Sequence, residues 1–163
     1  MFIGQNYIVR IQKYETKDGL SNRQVNAIIK DRRGLLWIGT KYGLNSFDGY
    51  NFKTYTKEKD GLPFNYIDHI LEDSDGKLWL MGPAGKPEIA LFDPITKKSE
   101  AFETKFKTET PALSGSTINK QKTLYLSVDK SNDIYTYKPS DGLSKKNLRQ
   151  FAPVSSIFVG PKN

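Results

Sequence analysis

The residues whose types could carry out chemistry are few. His69 is the only histidine and lies between Asp68 and Ile70. A lone histidine cannot supply a His-pair metal site. The sequence sets no serine or cysteine nucleophile beside it with a positioned acid, as hydrolysis by a catalytic triad requires. There is no cysteine, so a disulfide or a thiolate metal site is ruled out. Asp73-Ser74-Asp75-Gly76 opens like a calcium loop, but Ala84 stands at loop position 12, where a glutamate must close it. A β-turn, with Asp and Gly in their usual places, is the better reading. Gly82-Pro83-Ala84-Gly85-Lys86-Pro87 is a poor phosphate loop, because its glycines are too close together and Pro87 replaces the Ser or Thr. The sequence therefore predicts no catalytic residue, no metal and no cofactor.

Binding chemistry is better represented. Tyr42, Tyr50, Phe64 and Tyr66 fall near predicted turns, with Asn22, Arg23, Lys41, Asn45 and Asn65 close by in sequence. Aromatic faces beside amides and cations suit a polar carbohydrate, and loops are where binding residues concentrate. Ordinary half-buried turn aromatics are the competing reading. Trp37 and Trp79 could stack on a sugar, but both sit inside apolar strands and are expected in the core. A buried indole N–H needs a hydrogen-bond partner.

The elements that must position these residues come from a repeat. Trp37 and Trp79 are 42 residues apart, as are Gly19 and Gly61. A fixed period of this length signals stacked or radial units, each too small to bury its own apolar face. Four short strands are predicted in the first unit: Val25 to Lys30, Leu35 to Gly39, Leu44 to Phe47 and Asn51 to Thr56. In the second unit they are Tyr66 to Leu71, Leu78 to Met81, Glu88 to Phe92 and Ser99 to Phe102. A weaker third copy places Tyr125 at the tryptophan position, with strands at Thr123 to Leu126, Ile134 to Tyr137 and Leu148 to Phe151. Asp141-Gly142-Leu143 fits either a repeat boundary or an internal turn. The segment Ile11 to Leu20 parallels Phe52 to Leu62, which makes it an outer strand detached from its inner strands. The fold class is thus all-β, with four-stranded antiparallel blades around a common axis. The blades span about 21–56, 64–104 and 113–151, with a displaced outer strand at 7–17 and the start of a further blade at 154–160.

The chain has 163 residues and a net charge of +7. Residues 1–56 and 105–163 are basic and 57–104 acidic. The lysines fall on turns and strand edges, where they discourage edge-to-edge pairing. This spread argues against nucleic-acid binding, which gathers basic residues on one face. No apolar run approaches the roughly 20 residues that span a bilayer, and no signal peptide is visible.

These motifs resemble the two-component regulator propeller repeat. The lead-in is Asp18-Gly19-Leu20-Ser21. The core runs from Asp31 to Gly34 and on to Trp37-Ile38-Gly39-Thr40, and the close is Gly43-Leu44 to Phe47-Asp48-Gly49. The second copy keeps Asp73, Gly76, Leu78, Trp79, Phe92 and Asp93 but lacks Gly-Thr after the tryptophan strand. The resemblance covers residues 11–104. It implies structural roles for Trp37, Gly39, Phe47, Asp48, Trp79, Phe92, Asp93 and Tyr125. It also implies a non-enzymatic periplasmic sensor module of a hybrid two-component system, of the kind found in Bacteroidetes and responsive to glycans. The expected partners are an oligosaccharide or another propeller protomer or domain, with self-association through the open blade edges. A protein–protein scaffold is the alternative function, and a propeller lyase of streptogramin type a further one.

Overall fold

A computed structural model of the chain describes residues 11–148. The described strands form three four-stranded antiparallel sheets, each a meander of consecutive strands. The first sheet contains β1 (Val25–Lys30), β2 (Leu36–Thr40), β3 (Gly43–Phe47) and β4 (Phe52–Tyr55). The second contains β5 (His69–Glu72), β6 (Leu78–Met81), β7 (Ile89–Phe92) and β8 (Ser99–Ala101). The third contains β9 (Leu113–Ile118), β10 (Leu124–Val128), β11 (Asp133–Lys138) and β12 (Gly142–Asn147). Two short helices, α1 (Lys57–Asp60) and α2 (Phe102–Phe106), follow the outer strands of the first two sheets. None of the described helices is long and apolar enough to cross a membrane.

Register makes the three sheets equivalent. Leu36 pairs with Phe47, Leu78 with Phe92, and Leu124 with Tyr137. Each tryptophan strand is buried on both faces, as its unbroken apolar character requires. One face of each sheet packs on the next. Trp37, Leu44 and Tyr55 of the first sheet share an apolar cluster with Ile70, Leu80 and Phe92 of the second. Trp79, Met81 and Leu91 then share another with Leu124, Leu126 and Tyr137 of the third. The Trp37 ring meets Phe92 at 5.3 Å between centroids, and Trp79 meets Tyr137 at 4.8 Å. The described strands form radial four-stranded blades packed face to face, in an arc that does not close into a ring among the described residues. Gly39 marks how close the packing is. A Cβ there would lie 2.8 Å from Cγ2 of Ile67, so only glycine lets the inter-blade connection pass.

The expected outer strand at 7–17 is not seen as a strand. Residues 7–10 lie outside the described residues, 11–15 join no ladder, and Thr16–Asp18 is a 3-10 turn. Its parallel with the later segment survives in the contacts. Tyr14 packs on Phe47 at 4.8 Å as Tyr55 packs on Phe92 at 5.2 Å. Leu20 joins Ile38 and Phe47, as Leu62 joins Leu80 and Phe92.

Three other strand assignments are corrected. β5 begins at His69, because Asp68 and the residues before it belong to the connection from the first sheet. β8 ends at Ala101, because Phe102 starts α2 and turns inward against Trp79. The outer strand of the third blade is β12, not Leu148 to Phe151. Asp141-Gly142 is the turn before it, with Gly142 at φ 74°. Residues 149–151 and the further blade start at 154–160 lie outside the described residues.

Candidate functional site

Three Asx turns anchor the blades from below. The Asp31 carboxylate accepts from the backbone N–H groups of Arg33 and Leu35 at 2.9 and 3.0 Å and from Trp37 Nε1 at 2.9 Å. Asp73 repeats the pattern with Asp75, Lys77 and Trp79 Nε1, the last at 3.2 Å. In the third blade Asn119 accepts from Thr123 N–H at 2.8 Å and donates to the Tyr125 hydroxyl at 3.4 Å. Each buried indole thus has the partner its N–H needs.

The two aspartates differ electrostatically. Burial alone would raise Asp31. The hydrogen bonds from Trp37, Leu35 and Arg33 outweigh it and hold the carboxyl below its ordinary value. Burial dominates at Asp73 and pushes its carboxyl up, with the neighbouring Asp75 adding to the rise. The first turn carries Arg33 where the second carries Asp75, so one carboxylate has a cation beside it and the other an anion.

The opposite rim carries the longer connections. It consists of the Lys41–Tyr42 turn, the loop 82–88, and the inter-blade segments 56–68 and 102–112. Six of the nine expected ligand residues gather there. Lys41 N–H donates to Gln24 O, and Gly43 N–H to Asn65 O. Gln24 Nε2 donates to the Tyr66 hydroxyl at 3.1 Å, and Asn22 Oδ1 accepts from Gln24 N–H. Asn22, Arg23, Lys41, Tyr42, Asn65 and Tyr66 therefore share one surface. Arg23, Lys41 and Tyr42 are exposed. Asn65 is held by Lys57 N–H and by the Glu58 carboxylate. That amide keeps the Glu58 carboxyl below its ordinary value. An open cleft of about 300 Å³ between Ser21, Tyr42, Thr54, Thr56, Glu58 and Lys59 completes this part of the rim.

The other three lie elsewhere. Asn45 is fully buried. Its amide accepts from Ser21 N–H and Thr54 Oγ1 and donates to Ser21 Oγ and Ile38 O, which leaves nothing for a ligand. Phe64 is buried in the first seam. Tyr50 is 88% exposed, but it follows Asp48 in a turn on the opposite rim.

A second cavity, missed by the sequence reading, lies on the same rim near the axis. It is about 50 Å³ and is bordered by Asp68, His69, Met81, Ala84, Leu113 and Ser116. His69 Nδ1 and Ser116 Oγ lie 3.0 Å apart, and His69 Nε2 is 3.7 Å from Asp68 Oδ2. The signal in the sequence was the loss of Gly-Thr after the second tryptophan strand, where the 82–88 loop replaces a two-residue turn. Among the described residues no cluster of histidine, cysteine and acidic side chains could hold a metal ion.

Comparison with known proteins agrees with this architecture. The family model for the two component regulator propeller matches residues 19–42 and 61–83. A histidine kinase P4 of Formosa agariphila is 45% identical over 51 residues, which cover 31% of this chain and 4% of the kinase. The crystal structure of the extracellular domain of a putative hybrid two component system from B. thetaiotaomicron superposes with a TM-score of 0.66 at 22% identity. That alignment covers 83% of this chain and 20% of the other, so the chain spans a fifth or less of these relatives. A catalytically inactive virginiamycin B lyase from Staphylococcus aureus shares the fold, with a TM-score of 0.61 at 16% identity, covering 85% of this chain and 45% of the lyase. The two matched segments are the repeat built around Trp37 and the repeat built around Trp79, and there the chain is similar to the two component regulator propeller.

Proposed function

We propose that this chain is part of the extracytoplasmic sensory region of a two-component signal-transduction protein. In this reading it is a non-enzymatic binding module whose ligand is an oligosaccharide. The observation that carries it is the repeat match at both tryptophan blades, in a chain whose fold is that of an extracellular sensor domain. The rim chemistry supports a polar ligand: Tyr42 offers an exposed ring beside Lys41, Arg23 and the hydroxyl-lined cleft. Binding there would act through differential affinity for alternative packings between blades or protomers, since a ligand shifts an equilibrium only by preferring one state.

A thermal-shift screen with neutral and charged oligosaccharides tests this. A ligand present at 100 times its Kd adds about 2.7 kcal/mol to the folded state, enough to raise Tm by several degrees in a domain of this size. A rise with at least one saccharide and none with its free monosaccharides supports the reading. No rise with any member favours a protein–protein scaffold instead.

A further inference from the structure

The seam between the second and third blades breaks the pattern of the seam before it. Ala27 of β1 and Ile70 of β5 both belong to the apolar cluster that fills the first seam near the axis. Register identifies their counterparts in the second seam. Ala27 pairs with Gly39, and His69 pairs with Met81, each two residues beyond its tryptophan. Ile70 pairs with Leu80, and Ser116 pairs with Leu126, each two residues beyond its leucine. A position closed by hydrocarbon in one seam is thus occupied by a hydrogen-bonded imidazole and hydroxyl in the next. Packing requires no such pair, as the first seam demonstrates. Departures from a sequence's own pattern concentrate at functional sites.

The same seam is opened on its rim side. Loop 82–88 arches over it, and Gly85 N–H donates to Leu113 O at 2.9 Å, pinning the loop across the two blades. Beneath lies the cavity of about 50 Å³, with Asp68, His69, Ser114 and Ser116 as polar side chains and Met81, Ala84 and Leu113 as apolar wall.

We propose that this cavity is a hydroxyl-recognition subsite for a neutral polyol ring. The proposal rests on the saccharide reading above and adds where the ring is gripped. The volume suits one or two hydroxyl groups or a hydroxymethyl, since a water takes about 30 Å³ of liquid, so the ring itself lies outside on the rim. The Asp68 carboxylate accepts hydrogen bonds from hydroxyl groups. His69 and Ser116 each donate or accept according to need. Met81 and Leu113 face the C–H surface of the sugar. An anionic group would meet the Asp68 carboxylate, 3.7 Å from His69 Nε2 and partly exposed. The arrangement therefore disfavours an anionic ligand and matches the hydroxyl groups of a neutral one.

His69 is the only histidine, so its ring nitrogens give isolated NMR signals. The ¹⁵N-labelled chain is titrated with neutral di- and trisaccharides of glucose, galactose and mannose, with binding followed in parallel by calorimetry. The expected result is a saccharide that binds and moves the His69 ring signals. Its affinity should fall at least tenfold in the H69A/S116I double variant, which copies the Ala27 and Ile70 pair of the first seam and so keeps a foldable interface. A single Ser116→Ala variant should show a smaller loss with the amide spectrum otherwise unchanged. A saccharide that binds with the His69 signals unmoved, and equally tightly to the double variant, overturns this subsite and leaves the saccharide reading standing. If no neutral saccharide binds, this subsite falls; the saccharide reading falls with it only if the charged oligosaccharides of the thermal-shift screen also fail to bind.

Discussion

Trp37 Nε1 donates to the Asp31 carboxylate at 2.9 Å, from a strand to the turn six residues before it. This bond explains the spacing of the repeat. A tryptophan large enough to fill an inter-blade seam brings a buried N–H, and the turn that starts its strand supplies the acceptor. The third blade changes both members together: Asn119 replaces the aspartate, and Tyr125, whose hydroxyl accepts, replaces the tryptophan.

Asp31→Asn should cost about 1–3 kcal/mol, because an amide nitrogen then opposes the indole N–H and leaves a buried donor without an acceptor. Asp73→Asn loses the same acceptor but also removes a carboxylate that burial and Asp75 disfavour, so it should cost clearly less. Urea unfolding of the two variants measures the difference. Equal losses would contradict the electrostatic contrast.

The two aspartates should also pull stability in opposite directions with pH. The Asp31 carboxyl lies below its ordinary 3.8, so the unfolded chain binds the proton more tightly. Its stabilisation is present above 3.8 and is lost as pH falls through the folded value. The Asp73 carboxyl lies above 3.8, so the folded chain binds the proton more tightly. Its contribution falls as pH rises from 3.8 through the folded value. Relative to the parent, Asp73→Asn should gain stability on going up through that window, and the deficit of Asp31→Asn, full above 3.8, should shrink as pH falls below it. Unfolding midpoints from pH 2.5 to pH 6 report both.

Gly39→Ala should destabilise by about 1–3 kcal/mol, as overpacking of a filled core does. The new Cβ would sit 2.8 Å from Cγ2 of Ile67 and 3.0 Å from its backbone oxygen. Ile67→Ala in the same chain removes the side-chain clash and should restore part of the added loss. Strict additivity of the two changes would show that they do not meet.

The blades were legible because their signals are local. Alternating or unbroken apolar strands, Asp and Gly at turns, and a fixed spacing of tryptophans all lie within one repeat. The phase of the third blade was not, because its markers are substituted. Lys122 takes the left-handed position (φ 58°) that Gly34 and Gly76 hold in the other turns, while Asp141-Gly142-Leu143 imitates a lead-in. The rim was partly legible. Lys41, Tyr42, Asn65 and Tyr66 sit where loop chemistry put them. Asn45 does not, because its partner Ser21 is 24 residues away and no local pattern reveals that bond. His69 and Ser116 are 47 residues apart, so their pairing exists only in the fold.

Hydrogen–deuterium exchange with and without a bound saccharide tests the binding account most directly. The account expects added protection in segments 41–43, 57–68, 82–88 and 107–112, with the turns 31–34, 48–51, 73–76 and 94–98 unchanged. Protection confined to that second group of turns would place the ligand on the wrong rim and contradict it.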